Sequence, residues 1–247
     1  MIRVTTEDSV TTIVLDRGEK RNAMLPEMLT AFESAVRGVG DDTRSIAVLG
    51  NGKVFCAGFD LKACSADESS DTMRALLTGL SKCVVAMRES AVPVVMGVHG
   101  CAIAGGCAML GGADVVVADE GALLGYPVVK IGVSPAVSAA FLMSSIPSGP
   151  ARALMLDPGL IDAQRAFTIG LVHEVVADAD CVRERTMELA RSLAAKPGVG
   201  VRETKRLVNL ITQGTSELGG DGLEASLSRV GSDEEREMLG ALWGSKE

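Results

Sequence analysis

The stretch that decides the fold is PVVMGVHGCAIAGGCAMLGGAD, residues 93–114. With the valine before it, it starts as a continuous apolar run over residues 92–98, which is typical of a strand covered on both faces. A glycine-bearing turn follows, and Gly105 then opens a predicted helix over residues 105–112. A further strand is predicted over residues 113–118. This order of strand, turn, helix and strand indicates an α/β domain.

Residues 92–113 carry no formal charge and have the length of a membrane span, yet we do not expect one there. The segment contains Pro93, His99 and six glycines, which suit a strand and turns better than a spanning helix. Residues 1–5 lack the apolar segment of a secretory signal. The sequence therefore favours a cytoplasmic protein that does not enter a membrane.

Strands and helices alternate on both sides of this stretch. Residues 2–6 and 10–16 predict a β-hairpin, and residues 45–50 predict a short apolar strand. Extended segments are also expected at residues 123–129 and 171–176. The predicted helices cover residues 26–39, 71–88, 134–145, 149–156, 162–170, 179–195 and 201–212, and the charged tail from residue 223.

Strand, strand, helix units recur through the first two thirds of the chain, and the last third is helical. No linker-like segment interrupts the pattern, so we expect one continuous domain. Within it, residues 1–195 form the α/β core and residues 196–247 form a C-terminal helical region. Such helices often serve oligomerisation, although packing onto the core of the same chain is the alternative.

Composition and charge argue against several classes of protein. The 247 residues carry a net charge of −8 with a pI near 4.9, so a nucleic-acid-binding surface is not expected. Six cysteines without C-x-x-C spacing and only two histidines argue against a zinc site and for reduced, mostly buried thiols. A polyanionic ligand stays compatible with this charge, because its binding depends on local groups.

A second glycine-centred turn, VFCAGFDLK, occupies residues 54–62 after another apolar strand. A glycine before a helix start lets backbone N–H groups face a ligand, and the helix dipole favours negative charge there. Two such N–H groups that converge would form an oxyanion hole for a thioester enolate or a tetrahedral anion. Each turn alone is better explained by tight packing, so the pair carries the argument.

At this point the chain resembles the enoyl-CoA hydratase/isomerase family, also called the crotonase superfamily. The resemblance extends over about residues 1–212. It implies an α/β crotonase (ClpP-like) spiral of β-β-α units, with a helical C-terminal region that assembles trimers or hexamers. The matching residues are RNAM at 21–24, VFCAGFDLK at 54–62, residues 93–106, Ala113-Asp114, Tyr126-Pro127, residues 130–132, Pro135, Ala151-Arg152 and residues 170–176.

The resemblance also implies an acyl-CoA thioester as substrate or ligand, with no separate cofactor. The backbone N–H groups of Phe59 and Gly105 would form the oxyanion hole and act as the catalytic groups. The acyl group would contact Ala108, Tyr126, Val128 and Ala136. Coenzyme A would lie along Lys20, Arg21, Ala23, Met24, Ala57, Gly58, Asp60 and Leu61, with the two cations near its phosphates. Asp60 is expected to order its loop or to cap the following helix.

Three departures from the family pattern bear on the chemistry. Hydratases of the family use a pair of glutamates to activate water and to deliver a proton to the α-carbon. The corresponding positions here are Ala108 and Val128, and an aspartate that some isomerases and dehalogenases use is replaced by Ala136. None of these side chains exchanges a proton.

Other residues could replace the missing acid and base, but each also has a structural interpretation. His99 and His173 are expected to be structural, and the phenol of Tyr126 is expected to pack in the core. Cys101 and Cys107 flank the glycine turn and are expected to be small apolar fillers.

Two classes of function stay open at the level of sequence. The first is an enzyme that uses the oxyanion hole with an unusual base, or a decarboxylase, in which loss of CO2 itself generates the enolate. The second is a non-catalytic acyl-CoA-binding protein that kept the fold and lost the chemistry. In both cases ordinary hydratase activity is expected to be weak or absent.

Overall fold

A twisted sheet of six strands, parallel except for one edge pair, forms the centre of the molecule, and a three-stranded sheet lies beside it. The first sheet has the order β1-β2-β3-β4-β6-β9, and the second has the order β5-β7-β8. The strands are β1 (Ile2–Glu7), β2 (Val10–Leu15), β3 (Ser45–Gly50), β4 (Val94–Val98), β5 (Cys101–Ile103), β6 (Val115–Asp119), β7 (Leu123–Gly125), β8 (Ile161–Asp162) and β9 (Glu174–Val176).

The structure is a computed structural model. It describes residues 1–65, 67, 69–157, 159–212, 223–224, 227–228, 230–231, 233, 236–237 and 240–241. The α-helices in this part of the chain are α1 (Pro26–Arg37), α2 (Leu61–Ser65), α3 (Asp71–Glu89), α4 (Gly105–Met109), α5 (Ala136–Ser145), α6 (Ser148–Leu156), α7 (Ala163–Thr168), α8 (Ala179–Ala194) and α9 (Gly198–Ile211). Most of the predicted charged tail from residue 223 lies outside the described residues.

Helices cover both faces of the large sheet, which explains its continuous apolar strands. Every residue of β3 and β4 is buried. One face packs on α1 and α3 in the main core, and the other packs on α8 through a smaller cluster that includes Val95 and Ala190. Parallel strands buried on both sides read as unbroken runs of Val, Ile and Leu, and residues 92–98 follow that rule.

The hairpin and most helices match the sequence prediction, which did not include the short elements α2, β5 and β8. Two predicted strands also differ from the structure. Residues 123–129 were expected to be extended, but only β7 is a strand, and Pro127–Ile131 forms a 3-10 helix. Pro127 fixes a helical φ at the start of that turn, and Gly132 ends it with a φ of 70°. The strand expected over residues 171–176 is shortened to the three residues of β9.

A buried lysine attaches the last long helix to the core. Lys205 is the single buried residue of α9, and its Nζ donates to the carbonyl oxygens of Met87 and Val92, each at 3.0 Å. It also pairs with Asp114 at 2.7 Å. Burial lowers the pKa of this ammonium group, and the neighbouring carboxylate opposes that shift. Helix α9 is therefore fixed to the core of its own chain by polar contacts.

We predict that Lys205→Met lowers the free energy of unfolding by about 2–4 kcal/mol, because two buried carbonyls and a carboxylate lose their donor. Urea denaturation followed by circular dichroism measures the change. Arg206→Met is the matched control: its exposed partner Glu203 makes an ion pair expected to contribute less than about 1 kcal/mol. Equal losses in the two variants would contradict the anchoring role.

Candidate active site

An apolar cavity of about 280 Å³ lies between α3 and the segment that follows β7, and residues of the two glycine turns form part of its wall. The structure brings seven of the predicted site residues to its wall: Ala57, Phe59, Leu61, Gly105, Ala108, Tyr126 and Val128. Leu77 and Leu80 of α3 close the cavity from the opposite side. A cavity of this size and lining suits a hydrophobic group of a small ligand.

Three backbone hydrogen bonds hold the two glycine turns side by side. The N–H of Phe55 donates to the carbonyl of His99 at 2.8 Å, and the N–H of Cys56 donates to that of Cys101 at 3.0 Å. The N–H of Ile103 donates to the carbonyl of Cys56 at 3.0 Å. We call these three bonds the turn ladder. It fixes the relative position of everything that the two turns carry.

The backbone N–H groups of Phe59 and Gly105 take no part in the turn ladder, and both residues line the cavity. Within the described residues, neither amide donates a hydrogen bond. A Cβ at position 105 would lie 2.6 Å from Cε of Met24 and 2.9 Å from Cε1 of Phe59. A side chain at position 105 would therefore have to displace the side chains of Met24 and Phe59.

Two ionisable residues, Tyr126 and Lys130, are among the lining residues of the cavity. No carboxylate or imidazole is among its lining residues in the part of the chain that the structure describes. Burial raises the pKa of the Tyr126 phenol well above its usual value, and its hydroxyl faces Cys107 and Ser138. Burial likewise raises the pKa of the Cys107 thiol to about 12. These groups stay protonated at neutral pH.

The loop around residue 21 runs beside the first glycine turn. The N–H of Ala57 donates to the carbonyl of Arg21, and the N–H of Met24 donates to that of Gly58, at 3.0 and 2.8 Å. Lys20 and Arg21 are both exposed on this loop. The residues that were predicted to contact coenzyme A therefore lie together, next to the open side of the two turns.

The Asp60 carboxylate stabilises the first glycine turn and the loop around residue 21. It pairs with Arg17 at 2.9 Å, and its Oδ1 accepts the N–H of Ala63 in the first turn of α2 at 3.4 Å. Arg17 in turn donates to the carbonyl of Ala23 at 2.8 Å. The side chain of Asp60 is thus used within the protein, in the loop-ordering role that the sequence suggested.

Asn22 is a residue whose importance sequence reasoning missed. Its fully buried amide accepts the N–H of Arg17 and donates to the carbonyls of Asn51, Val54 and Phe55. Asn22 has a φ of 53°, a conformation that asparagine tolerates better than most residues. The motif that contains it was the available signal, but the motif does not reveal which backbone groups the side chain reaches.

The other candidates lie elsewhere. Ala136 was predicted to line the acyl pocket, but it faces a separate cavity with Ala139 and Arg152, because it begins α5 on the far side of Pro135. His173 accepts the N–H of Val116 through Nδ1 at 2.9 Å, in the structural role expected of it.

The sequence matches the model of the enoyl-CoA hydratase/isomerase family over residues 5–228. A human relative, enoyl-CoA hydratase domain-containing protein 3, mitochondrial, is 30% identical over 190 residues, which are 76% of this chain and 62% of that protein. A Mycobacterium tuberculosis relative is 34% identical over 177 residues, 70% of this chain and 69% of that protein. Its name is (7aS)-7a-methyl-1,5-dioxo-2,3,5,6,7,7a-hexahydro-1H-indene-carboxyl-CoA hydrolase.

Solved structures give the same result for the fold. An enoyl-CoA hydratase/isomerase from Xanthobacter autotrophicus Py2 superimposes with a TM-score of 0.89 at 29% identity, covering 99% of this chain and 93% of that one. With the family match over most of its length, the chain belongs to the enoyl-CoA hydratase/isomerase family and has the crotonase fold.

Proposed function

We propose that this protein binds an acyl-CoA thioester and polarises its carbonyl group between the N–H groups of Phe59 and Gly105. The observation that carries the proposal is the pair of unbonded amides beside an apolar cavity. Preorganised donors of this kind stabilise the negative charge that develops on a thioester oxygen. The acyl chain would occupy the cavity, and coenzyme A enters as part of the ligand, without a separate cofactor.

Coenzyme A would lie along the loops that meet beside the first turn. The backbone of Ala23, Met24, Ala57 and Leu61 would line its path, and the exposed cations of Lys20 and Arg21 would meet its phosphates. The M. tuberculosis relative is named as a hydrolase of a CoA thioester, which agrees with this class of ligand.

Ordinary hydration does not fit the cavity, because it needs a base for water and an acid for the α-carbon. Ala108 and Val128 stand where the family resemblance puts these groups, and both line the cavity. Each acid or base of this kind typically contributes about 10²–10⁴-fold to the rate. The protein would therefore bind and polarise its ligand without efficient proton transfer.

Two activities are compatible with such a site. A decarboxylase or an isomerase with another base would use the polarised carbonyl to stabilise an enolate. A binding protein would hold the acyl-CoA without turnover. Calorimetry with hexanoyl-CoA, followed by incubation with crotonyl-CoA, malonyl-CoA and methylmalonyl-CoA, tests the proposal. Failure to bind any of them would overturn it, and release of CO2 would select the decarboxylase.

Self-association into trimers or hexamers is part of the proposal. Its support is the outward face of α9, where Leu207, Leu210 and Ile211 are 50%, 66% and 69% exposed. Apolar side chains on one exposed helix face favour a protein contact. We also propose a cytoplasmic location, because the six cysteines show no C-x-x-C spacing and are expected to be reduced, mostly buried thiols. Within the described residues, no helix has the length and apolar character that a membrane span requires.

We predict that crotonyl-CoA hydration by the wild-type protein is very slow although the thioester binds. Loss of absorbance of the conjugated thioester measures the reaction, and calorimetry measures binding. A turnover number within the usual enzyme range of roughly 1–10³ s⁻¹ would contradict the prediction. Mutation of Tyr126 and His99 would then identify the unrecognised base.

We predict that Ala108→Glu combined with Val128→Glu raises hydration, because two carboxylates facing one water supply the missing base and acid. Since each group contributes about 10²–10⁴-fold elsewhere, a gain of about 10²-fold is expected even with imperfect geometry. The control is the double substitution to Gln, which has the same volume without the carboxylate. An equal rate in both double variants would reject the explanation.

We predict by light scattering a mass of three or six chains for the wild-type protein at micromolar concentration. Leu207→Glu with Ile211→Glu should reduce the mass, because each carboxylate would lose its hydration in an apolar interface. Arg202→Glu, a charge reversal at another exposed position of α9, should leave the mass unchanged. A monomeric wild-type protein would refute the assembly.

A further inference from the structure

A buried carboxylate outside the cavity contacts the second glycine turn. Asp119 is the last residue of β6, and 7% of it is exposed. Its Oδ2 accepts the N–H of Gly100 at 3.1 Å. Its other oxygen, Oδ1, is buried and has no hydrogen-bond partner among the described residues. Burial of a carboxylate with one donor is costly, so its presence calls for an explanation beyond packing.

The residue that Asp119 contacts lies within the turn that starts the ladder. Gly100 has a φ of 65°, and a Cβ there would lie 2.7 Å from the carbonyl oxygen of Lys53. The ring of His99 makes a second hydrogen bond beside this turn, because its Nε2 donates to the carbonyl oxygen of Gly52 at 3.0 Å. We call the hydrogen bonds of Asp119 and His99 the two ties. The turn is thus held on one side by a carboxylate and on the other by an imidazole.

The two ties act on the same backbone that carries both oxyanion donors. The ladder begins at the carbonyl of His99, and it ends at the N–H of Ile103. Phe59 is three residues beyond the Cys56 rung, and Gly105 is two residues beyond Ile103. A shift of the turn would therefore change the distance between the two N–H groups. Catalytic hydrogen bonds lose effect when their geometry changes by fractions of an ångström.

We propose that Asp119 and His99 are positioning residues for the oxyanion hole, which they reach through the turn at Gly100 and the turn ladder. This inference rests on the proposed function, since it assumes that a thioester carbonyl lies between the two amides. Asp119 suits the role because β6 is paired on both sides in the sheet, with β4 and with β9. The carboxylate is therefore a fixed point against which the turn is held.

The carbonyl stretching frequency of a bound thioester tests the proposal directly. Hexanoyl-CoA labelled with ¹³C at the carbonyl is the probe, because a saturated acyl group does not accept water. Donation from two amides lowers the frequency relative to that of the free thioester. The frequency is measured only on folded protein with ligand bound, so a general loss of stability does not change it.

Asp119→Ala is expected to lose about half of the frequency downshift, because the N–H pair no longer holds its spacing. Asp119→Asn is expected to keep most of it, since the amide oxygen still accepts from Gly100. Thr186→Val is the control: this buried hydroxyl on α8 also has no hydrogen-bond partner among the described residues, and it packs on β4 at Gly97 rather than on the turn. The control should keep the full downshift.

The outcomes separate this inference from the function on which it rests. If the wild-type protein binds no hexanoyl-CoA or gives no downshift, the proposed function fails. If the wild type gives the downshift and folded Asp119→Ala gives the same one, only the positioning role is overturned. Should Asp119→Ala not fold, His99→Leu and His99→Gln repeat the test at the other tie. An unchanged downshift in His99→Leu would then overturn the proposal.

Discussion

The site depends on the turn ladder between two chain segments that are more than 40 residues apart. Its three backbone hydrogen bonds join residues 55–56 to residues 99–103 and carry no side-chain chemistry. Because they are main-chain bonds, they tolerate wide changes in the cavity wall. The geometry of the two turns can therefore stay the same while the side chains of the cavity wall change. Ala108 and Val128 in this chain are consistent with such a change.

A site of this kind separates charge stabilisation from proton transfer. If a thioester carbonyl lies between the two amides, as we propose, these neutral dipoles act on it strongly because the cavity around them is apolar. The phenol and the thiol beside the cavity are held in their protonated forms by burial. A ligand that generates its own negative charge would gain from the amides. Among the described residues, a ligand that must first be deprotonated would find no carboxylate or imidazole in the cavity wall.

The sequence predicted the longer strands and the two glycine turns, because each is a local pattern, whereas the residues expected at the cavity wall came from the family resemblance. Unbroken apolar runs predict buried parallel strands, as at β4. The 3-10 helix after β7 was missed because Val128 and Val129 favour strands, whereas Pro127 and Gly132 decide the backbone. The ties made by Asn22 were not predictable, since they join residues 29 to 33 positions apart. Nothing local in a sequence specifies such partners.

The buried ammonium of Lys205 has a chemical consequence for a protein that would handle activated thioesters. An amine attacks a thioester only through a free lone pair. This nitrogen is charged, and its three donors are taken up by Met87, Val92 and Asp114. It is thus protected from acylation for as long as α9 stays in place. Lys130, which is exposed and lines the cavity, and Lys20, which is exposed beside the two turns, lack such contacts among the described residues, so these two amines are the ones open to acylation near the site.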